Sequence, residues 1–506
     1  MAVLRRVARW LAWAVIGLVI LLAAALAMTT TPWFKNWVRG QIVSRVSPLI
    51  DGQLSIGALT GSLWTGVTLD DIVIEHGGVP AVSIGAVRTR YDIRELARGV
   101  LAIDDVTIDR PSIVLREDAD GWNLAHLGRS TGSASTGTPP LVTIRRLRVT
   151  NGTIDIQPAS GPRRHINDVD FDGSVETGAS GVTVAIAHLR AVDADTGLPV
   201  TASGQVVAAD DLRVRGLTLE TPKSHVELDA SYRGGDAPRI ETTIEIARLT
   251  LAELAPYLPA SVPASLILDG TLAATGPLTA LDTSWTLHST TVGATNGHVV
   301  VNATAARPTV DGTISTAALN LAALSRQRDL PARLTMDGRV TATVATDDPW
   351  QSRVAFDVRT PGLTTFGYTV GALSATGRLD GRVLTARGRA AAYGAAATFD
   401  ATLHDVTAPA SSLRLDIAGN VQHLDLRRLP ASVHAPAMAT QLAGAYDVHV
   451  MPQVVQASFT ADESDVEQAV VAAGTTASVR IEGERLEASV DGAVHHVSDD
   501  LLHLPS

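Results

Sequence analysis

The sequence predicts a mostly β protein: an N-terminal transmembrane helix, then an elongated, curled β-sheet groove with a few short helices. Three observations carry that expectation. Apolar and polar residues alternate along most of the chain, as in Val67 and Leu69, Ile72 and Ile74, Val82 and Ile84. Successive side chains of a strand point to opposite faces, so a period of two marks a half-buried strand. Turn residues break these runs, as in Gly77-Gly78-Val79-Pro80,. Near the N-terminus, Trp10 to Met28 carries no charge, and such a run approaches the ~20 residues a bilayer-spanning helix requires.

Composition supports aliphatic strands. The chain is 45% hydrophobic but only 4% aromatic, with 42 glycines and 24 prolines, so its apolar content is mostly Ala, Val, Leu and Ile. Lysine occurs only at Lys35 and Lys223. The net charge is −11; the first fifty residues carry +6, which leaves −17 for the rest. An acidic body argues against nucleic acid as a partner, because that needs a basic footprint. With no cysteine, disulfides, thiolate metal sites and a catalytic Cys are excluded.

Residues 1–9 read as a cytoplasmic N-terminus with Arg5, Arg6 and Arg9, and residues 10–28 as the anchor. Trp10, Trp13, Trp33 and Trp37 are the expected membrane-interface residues, because Trp concentrates at bilayer boundaries. The competing reading is a cleaved signal peptide with Ala25-Leu26-Ala27 at its end,. Three positive residues lie on each side of the apolar run, so charge barely sets orientation; the long acidic part that follows is expected outside the cytoplasm. Residues 29–50 read as a membrane-proximal helix. Trp33, Phe34, Trp37, Val38 and Ile42 fall near one face, which fits either an amphipathic helix at the membrane surface or a lead-in helix packed on the first strands.

Residues 51–127 form a strand-rich module. The change of parity between Leu69 and Ile72 predicts a bulge near Asp70-Asp71, and Arg94 to Arg98 a brief helical turn,. Residues 128–140 are a Gly/Ser/Thr/Pro linker or loop,. Its Gly128-Arg-Ser-Thr-Gly132 matches G-x-S-x-G formally, but a hydrolase elbow must follow an apolar strand and open a helix. Residues 141–506 form a repetitive β region. Asn151-Gly152 predicts a hairpin. Asp-Gly pairs at 269–270, 311–312, 337–338, 380–381 and 491–492 predict several turns,. The pattern L-x-L-x-x-L recurs at Leu249, Leu319 and Leu424, each time followed closely by Leu-Pro; a strand ending in a short helical turn fits it.

Motifs for chemistry are largely absent. No H-E-x-x-H, P-loop or dinucleotide glycine pattern occurs,. The dense group His495-His496 beside Asp499-Asp500 reads as a solvated end. No catalytic residue, metal site or cofactor is expected, and the chain does not read as an enzyme. At one strand and turn per ~12 residues, ~35 strands are expected. A trough of that kind presents a continuous apolar strip, which is unfavourable in water unless something apolar occupies it. Acyl chains beside a membrane anchor are the natural occupant. The groove-lining candidates are Val67, Leu69, Val226, Leu228, Leu321, Leu413, Leu415 and Ile417.

One stretch carries a family resemblance. GSLWTGVTLDDI (61–72), Tyr91, LARGVLAIDDVTIDRPSIVL (96–115) and Gly121-Trp122-Asn123-Leu124 follow one another behind the apolar N-terminus. In that order they resemble the N-terminal region of the AsmA/TamB family of Gram-negative envelope proteins. The resemblance covers residues 1–125 by motif and the rest by texture and the L-x-L-x-x-L repeats. It implies an inner-membrane anchor, a periplasmic body and a bridge-like groove moving phospholipid between inner and outer membranes. The alternative it implies is a translocation and assembly factor for outer-membrane proteins. The chain closes on LLHLPS without a counterpart of the domain through which TamB-type members engage an outer-membrane barrel protein, which leaves that partner open.

Overall fold

The computed structural model describes residues 31–497, except 63, 93–100, 119–120, 127–141, 179–180, 259–261, 321–322, 324–331, 346–350, 366–367, 407, 409, 431–437, 468 and 484. The expected anchor at 10–28, the helical turn at Arg94 to Arg98 and the linker at 128–140 lie outside the described residues. Among the described residues, no helix is long and apolar enough to cross a membrane. The chain divides into two compact units, Met1–Arg233 and Gly234–Ser506. Each is built almost wholly of strands.

The first unit opens with α1 (Pro32–Val46). Thr31 caps it, its hydroxyl accepting from the Phe34 amide at 3.4 Å, and Pro32 at the first helical position needs no amide partner,. The helix meets the first strand through Arg39, which donates to the Ile56 carbonyl at 3.4 Å and also to the Gly57 carbonyl, and none of its residues is buried. The strands are β1 (Gln53–Ser62), β2 (Gly66–His76), β3 (Val79–Tyr91), β4 (Leu101–Asp118), β5 (Gly121–Trp122), β6 (Val142–Gln157), β7 (Arg164–Gly178), β8 (Gly181–Asp193), β9 (Pro199–Ala208), β10 (Asp211–Glu220) and β11 (His225–Arg233). They pair in chain order as neighbours, with β5 a short flap on β4. All pairings are antiparallel except β4 with β6, which the length of chain between them allows.

A crease crosses this unit. Asp71, Arg110, Asn151 and Asp168 take left-handed φ of 53°, 50°, 55° and 51°. Asp71 stands level with Gly57 and Gly85, because the pairs on either side, Ile56 with Ile72 and Ala58 with Asp70, keep one register. The parity change expected at Asp70-Asp71 is therefore real, but it is not a bulge. There β1, β2 and β3 turn at the same level without an extra residue, whereas at Asn151 and Asp168 the register shifts by one. Asn151-Gly152 is likewise corrected: it lies inside β6, not in a hairpin. Asn tolerates left-handed φ in a turn and in a crease alike, so the dipeptide alone does not distinguish them.

The second unit begins with β12 (Arg239–Thr250) and α2 (Leu251–Leu254). It continues through β13 (Ile267–Pro277), β14 (Leu281–Ser289), β15 (Gly293–Asn302), β16 (Thr309–Asn320), β17 (Ala332–Thr343), β18 (Arg353–Thr365), β19 (Tyr368–Val370), β20 (Leu373–Asp380), β21 (Val383–Ala392) and β22 (Ala395–Leu403). It ends with β23 (Leu415–Leu424), β24 (Thr440–Met451), β25 (Val454–Ala461), β26 (Ser464–Val466), β27 (Ala469–Val471), β28 (Thr476–Glu482), β29 (Arg485–Asp491) and β30 (Val494–Val497). The main ladder is antiparallel in chain order, passing from β18 to β20 and from β25 to β28. A side ladder joins β24, β26, β27 and β30.

The L-x-L-x-x-L repeat is a structural unit. Before each copy the register slips, between Ile246 and Leu249, Thr316 and Leu319, and Val421 and Leu424. Two residues there oppose one, which is a bulge. The strand then ends and a helical turn follows: α2 in the first copy and Leu426–Arg428 in the third. In the first copy Leu251 is buried with Leu266 and Val292, and Leu249, Leu254, Leu258 and Leu319 pack around them.

Otherwise there is little interior. Among the described residues, no large side chain is fully buried, and much of the buried apolar set is alanine. Among the described residues, nearly all substantial contacts between elements join ladder neighbours or adjoining helices, with no second layer across either face. The expected curling into a groove is corrected: the ladders are open, with β1 pairing only β2 and β29 pairing only β28 among the described residues. Alternation encodes which residues share a face. It does not encode curvature, which comes from twist and bulges.

Candidate functional site: an apolar sheet face

In the first unit one cross-strand row runs Leu59, Leu69, Val87, Ile108, Val149, Phe171, Leu189, Ala202, Leu219, Val226, from β1 to β11, without a polar member. The row one residue away runs Thr68, Arg88, Thr107, Arg148, Asp172, His188. One face is thus hydrocarbon and the other polar.

The second unit repeats this. Its row runs Ile244, Leu272, Trp285, Gly297, Ile314, Gly338, Val358, Ala375, Gly388, Phe399, Gly419, Tyr446, Phe459, Ala477, Val490, from β12 to β29. Large rings alternate with glycines for a steric reason. A side chain at Gly377, Gly444 or Gly388 would first meet a neighbouring strand's carbonyl, of Thr385, Thr460 or Ser374, and then a ring: Phe356 at 2.5 Å, Phe459 at 2.9 Å and Phe399 at 3.0 Å respectively. Trp285 lies over Gly297 in the same way. The rings therefore lie down on the sheet and shield the bare backbone beneath them. Tyr446 adds a polar tether, donating to the Thr398 carbonyl at 2.9 Å,.

This explains the Asp-Gly pairs. Asp269-Gly270, Asp311-Gly312 and Asp337-Gly338 lie inside β13, β16 and β17, not in turns. Gly312 and Gly338 sit on the apolar face in the rows of Val299 and Ile314. Their aspartates face the other way. Asp380-Gly381 does stand at a turn, with Gly381 at φ 63°.

The sequence-derived candidates fall as follows. Val67 stands opposite Gly61, and Leu69 between Leu59 and Val87. Val226 and Leu228 oppose Leu219 and Leu217. Leu415 lies between Leu403 and Val450, and Ile417 between Ala401 and Val448. Leu413 is half-buried but precedes β23. Leu321, Trp10 and Trp13 lie outside the described residues. Trp33 and Trp37 are 64% and 52% exposed on α1, with Trp37 stacked on Phe34 at 5.5 Å between ring centroids. The ring and glycine positions were missed. Their signal is a ring and a glycine equidistant from a turn, as in Trp285 and Gly297.

The polar face is held by ion pairs. Asp211 accepts from Arg233 and Arg213, which hold its carboxyl far below the ordinary aspartate range. Asp311 is lowered by Arg339, with Thr341 adding to it. His449 faces Asp416 at 2.7 Å from Nδ1 and Asp447 at 3.0 Å from Nε2, and Asp416 also meets His404 at 2.6 Å. With a carboxylate on each ring nitrogen, His449 is raised above the ordinary histidine value, chiefly by Asp416. Among the described residues no group of three or more such side chains is arranged to hold a metal ion. Comparison with family models, curated proteins and solved structures gives no match.

Proposed function

We propose that the apolar face binds phospholipid acyl chains and lets them move along it, in a protein of AsmA/TamB-like kind anchored in an inner membrane with its body in the periplasm. The observation that carries this reading is the unbroken apolar row in each unit, with no second layer across it among the described residues. Apolar area is worth ~25 cal/mol per Å² when removed from water, so a face this extended favours an apolar occupant over solvent. Contacts to hydrocarbon are non-directional, so a row of Val, Leu and Ile gives no reason to stop a chain at one point. Head groups would stay at solvent.

The reading is tested on the full chain purified in mild detergent. Extraction and mass spectrometry are expected to recover phospholipid, and Ile417→Asp with Leu228→Asp to reduce it several-fold. Recovery unchanged by the double substitution contradicts the reading. The anchor is tested separately: the protein is expected to stay with membranes through an alkaline carbonate wash, and release of a mature form beginning near Met28 contradicts that part.

A second reading, an assembly factor that pairs its strand edge with client strands, is favoured by one feature. β29 pairs on one side only among the described residues, and its Leu486 and Val490 are 65% and 76% exposed,. Under that reading crosslinks would capture protein instead of lipid.

A further inference from the structure

On the polar face of the second unit, two arginines without a carboxylate partner among the described residues share one hollow. Across β18, β20, β21, β22 and β23 the register sets Arg359 opposite Ser374, Ser374 opposite Arg389, Arg389 opposite Thr398, and Thr398 opposite Asn420. These five residues line a hollow of about 680 Å³. Four of them, Arg359, Ser374, Arg389 and Thr398, also line a second hollow of about 500 Å³. On the same face Arg339 closes on Asp311 at 2.7 Å and Arg353 on Asp380 at 3.3 Å. Arg359 and Arg389 close on no carboxylate among the described residues. Asp337 stands opposite Arg359 in the register and lines the first hollow, yet makes no ion pair with it. The hollow thus holds two cations against one anion in a chain of net charge −11.

The spacing suits a clamp. One strand, carrying Ser374, separates the two arginines, so their backbones stand ~9.6 Å apart at ~4.8 Å per strand. Both arginine side chains line the same hollow as the serine between them. Each presents a planar fork of donors that matches phosphate oxygens two at a time. The Ser374 hydroxyl and the Asn420 amide add uncommitted donors, whereas Thr398 Oγ1 already accepts from the Asn420 backbone amide at 3.2 Å. We propose that this hollow is a binding site for a phosphomonoester dianion, clasped between Arg359 and Arg389. It lies on the face opposite the apolar row, so it does not rest on the acyl-chain reading. The same chemistry is offered by a soluble phosphate and by a lipid head group ending in a phosphomonoester.

The test is isothermal titration of the full chain with inorganic phosphate, with short-chain phosphatidic acid below its micelle concentration, and with short-chain phosphatidylcholine, all at matched ionic strength. Saturable binding of phosphate or phosphatidic acid is expected, with phosphatidylcholine at least tenfold weaker. Arg359→Gln and Arg389→Gln are each expected to weaken it at least tenfold, and Arg353→Gln, whose partner is Asp380, to leave it unchanged. Binding of both ligands marks a soluble-anion site, and binding of phosphatidic acid alone a head-group site. Should an arginine variant fold poorly by circular dichroism, Ser374→Asp sets a carboxylate between the two forks and is expected to abolish binding. No saturable binding of either phosphate ligand, or equal binding by the wild type and the arginine or Ser374→Asp variants, overturns the proposal.

Discussion

At the scale of single residues, the two faces obey different physics, and each offers a test. On the polar face His449 is held up and Asp416 held down, the latter by His449 first and His404 second. A raised histidine contributes stability that is fully present below its ordinary value of 6.5 and is lost as pH rises through its folded value,. A lowered carboxylate contributes above its ordinary 3.8, and that part is lost as pH falls through its folded value,. The cluster is therefore tightest between about pH 4 and about pH 6.5. Asp416→Asn is expected to lower the melting temperature more at pH 5.5 than at pH 8.5. The difference should be small, because the groups are nearly half exposed and water screens them,. An equal effect at both pH values contradicts the pairing. On the apolar face, Gly377→Val meets the Phe356 ring and is expected to cost about 1–3 kcal/mol in urea unfolding, as overpacking does. Phe356→Ala in the same background should recover part of that cost, because it removes the ring's share of the clash and leaves that of the Thr385 carbonyl.

At the scale of elements, alternation was legible and its interruptions were not. Leu415 and Ile417 share a face because a strand has a period of two, and they stand between apolar partners on β22 and β24. Leu415→Asp sets a carboxylate at a half-buried site between Leu403 and Val450 and is expected to cost about 1–3 kcal/mol,. Arg414→Asp changes an exposed side chain and should stay within about 0.5 kcal/mol. Equal costs in urea unfolding would mean that the face assignment is wrong. The L-x-L-x-x-L repeat was also readable, since leucine spacing changes from strand to helix period within it, and the structure adds the bulge before each copy. Leu251→Ala should cost about 2–4 kcal/mol by opening the small core around Leu266 and Val292,. Asn151-Gly152 misled because Asn takes left-handed φ in a crease as it does in a turn,, and Asp337-Gly338 misled for another reason. Glycine serves a turn by its φ and a sheet face by its missing side chain, and only the strand opposite tells which. For Gly338 that strand is β18, whose Val358 would meet an added side chain at 2.6 Å.

At the scale of the whole molecule, the sequence reading and the structure agree on strands sorted into one hydrocarbon face and one charged face within each unit. They part on curvature, because pairing order and alternation leave a sheet free to be flat or rolled. The central claim is that the hydrocarbon face carries lipid along its length. It is tested most directly by photo-crosslinking in membranes, with the reactive residue placed in turn at Val67, Leu228 and Leu415, and at their polar neighbours Thr68, Glu227 and Arg414. Phospholipid adducts are expected at all three apolar positions and few at the three neighbours, since adjoining residues of a strand face opposite ways. Lipid at a single position, or equal capture on both faces, would contradict it.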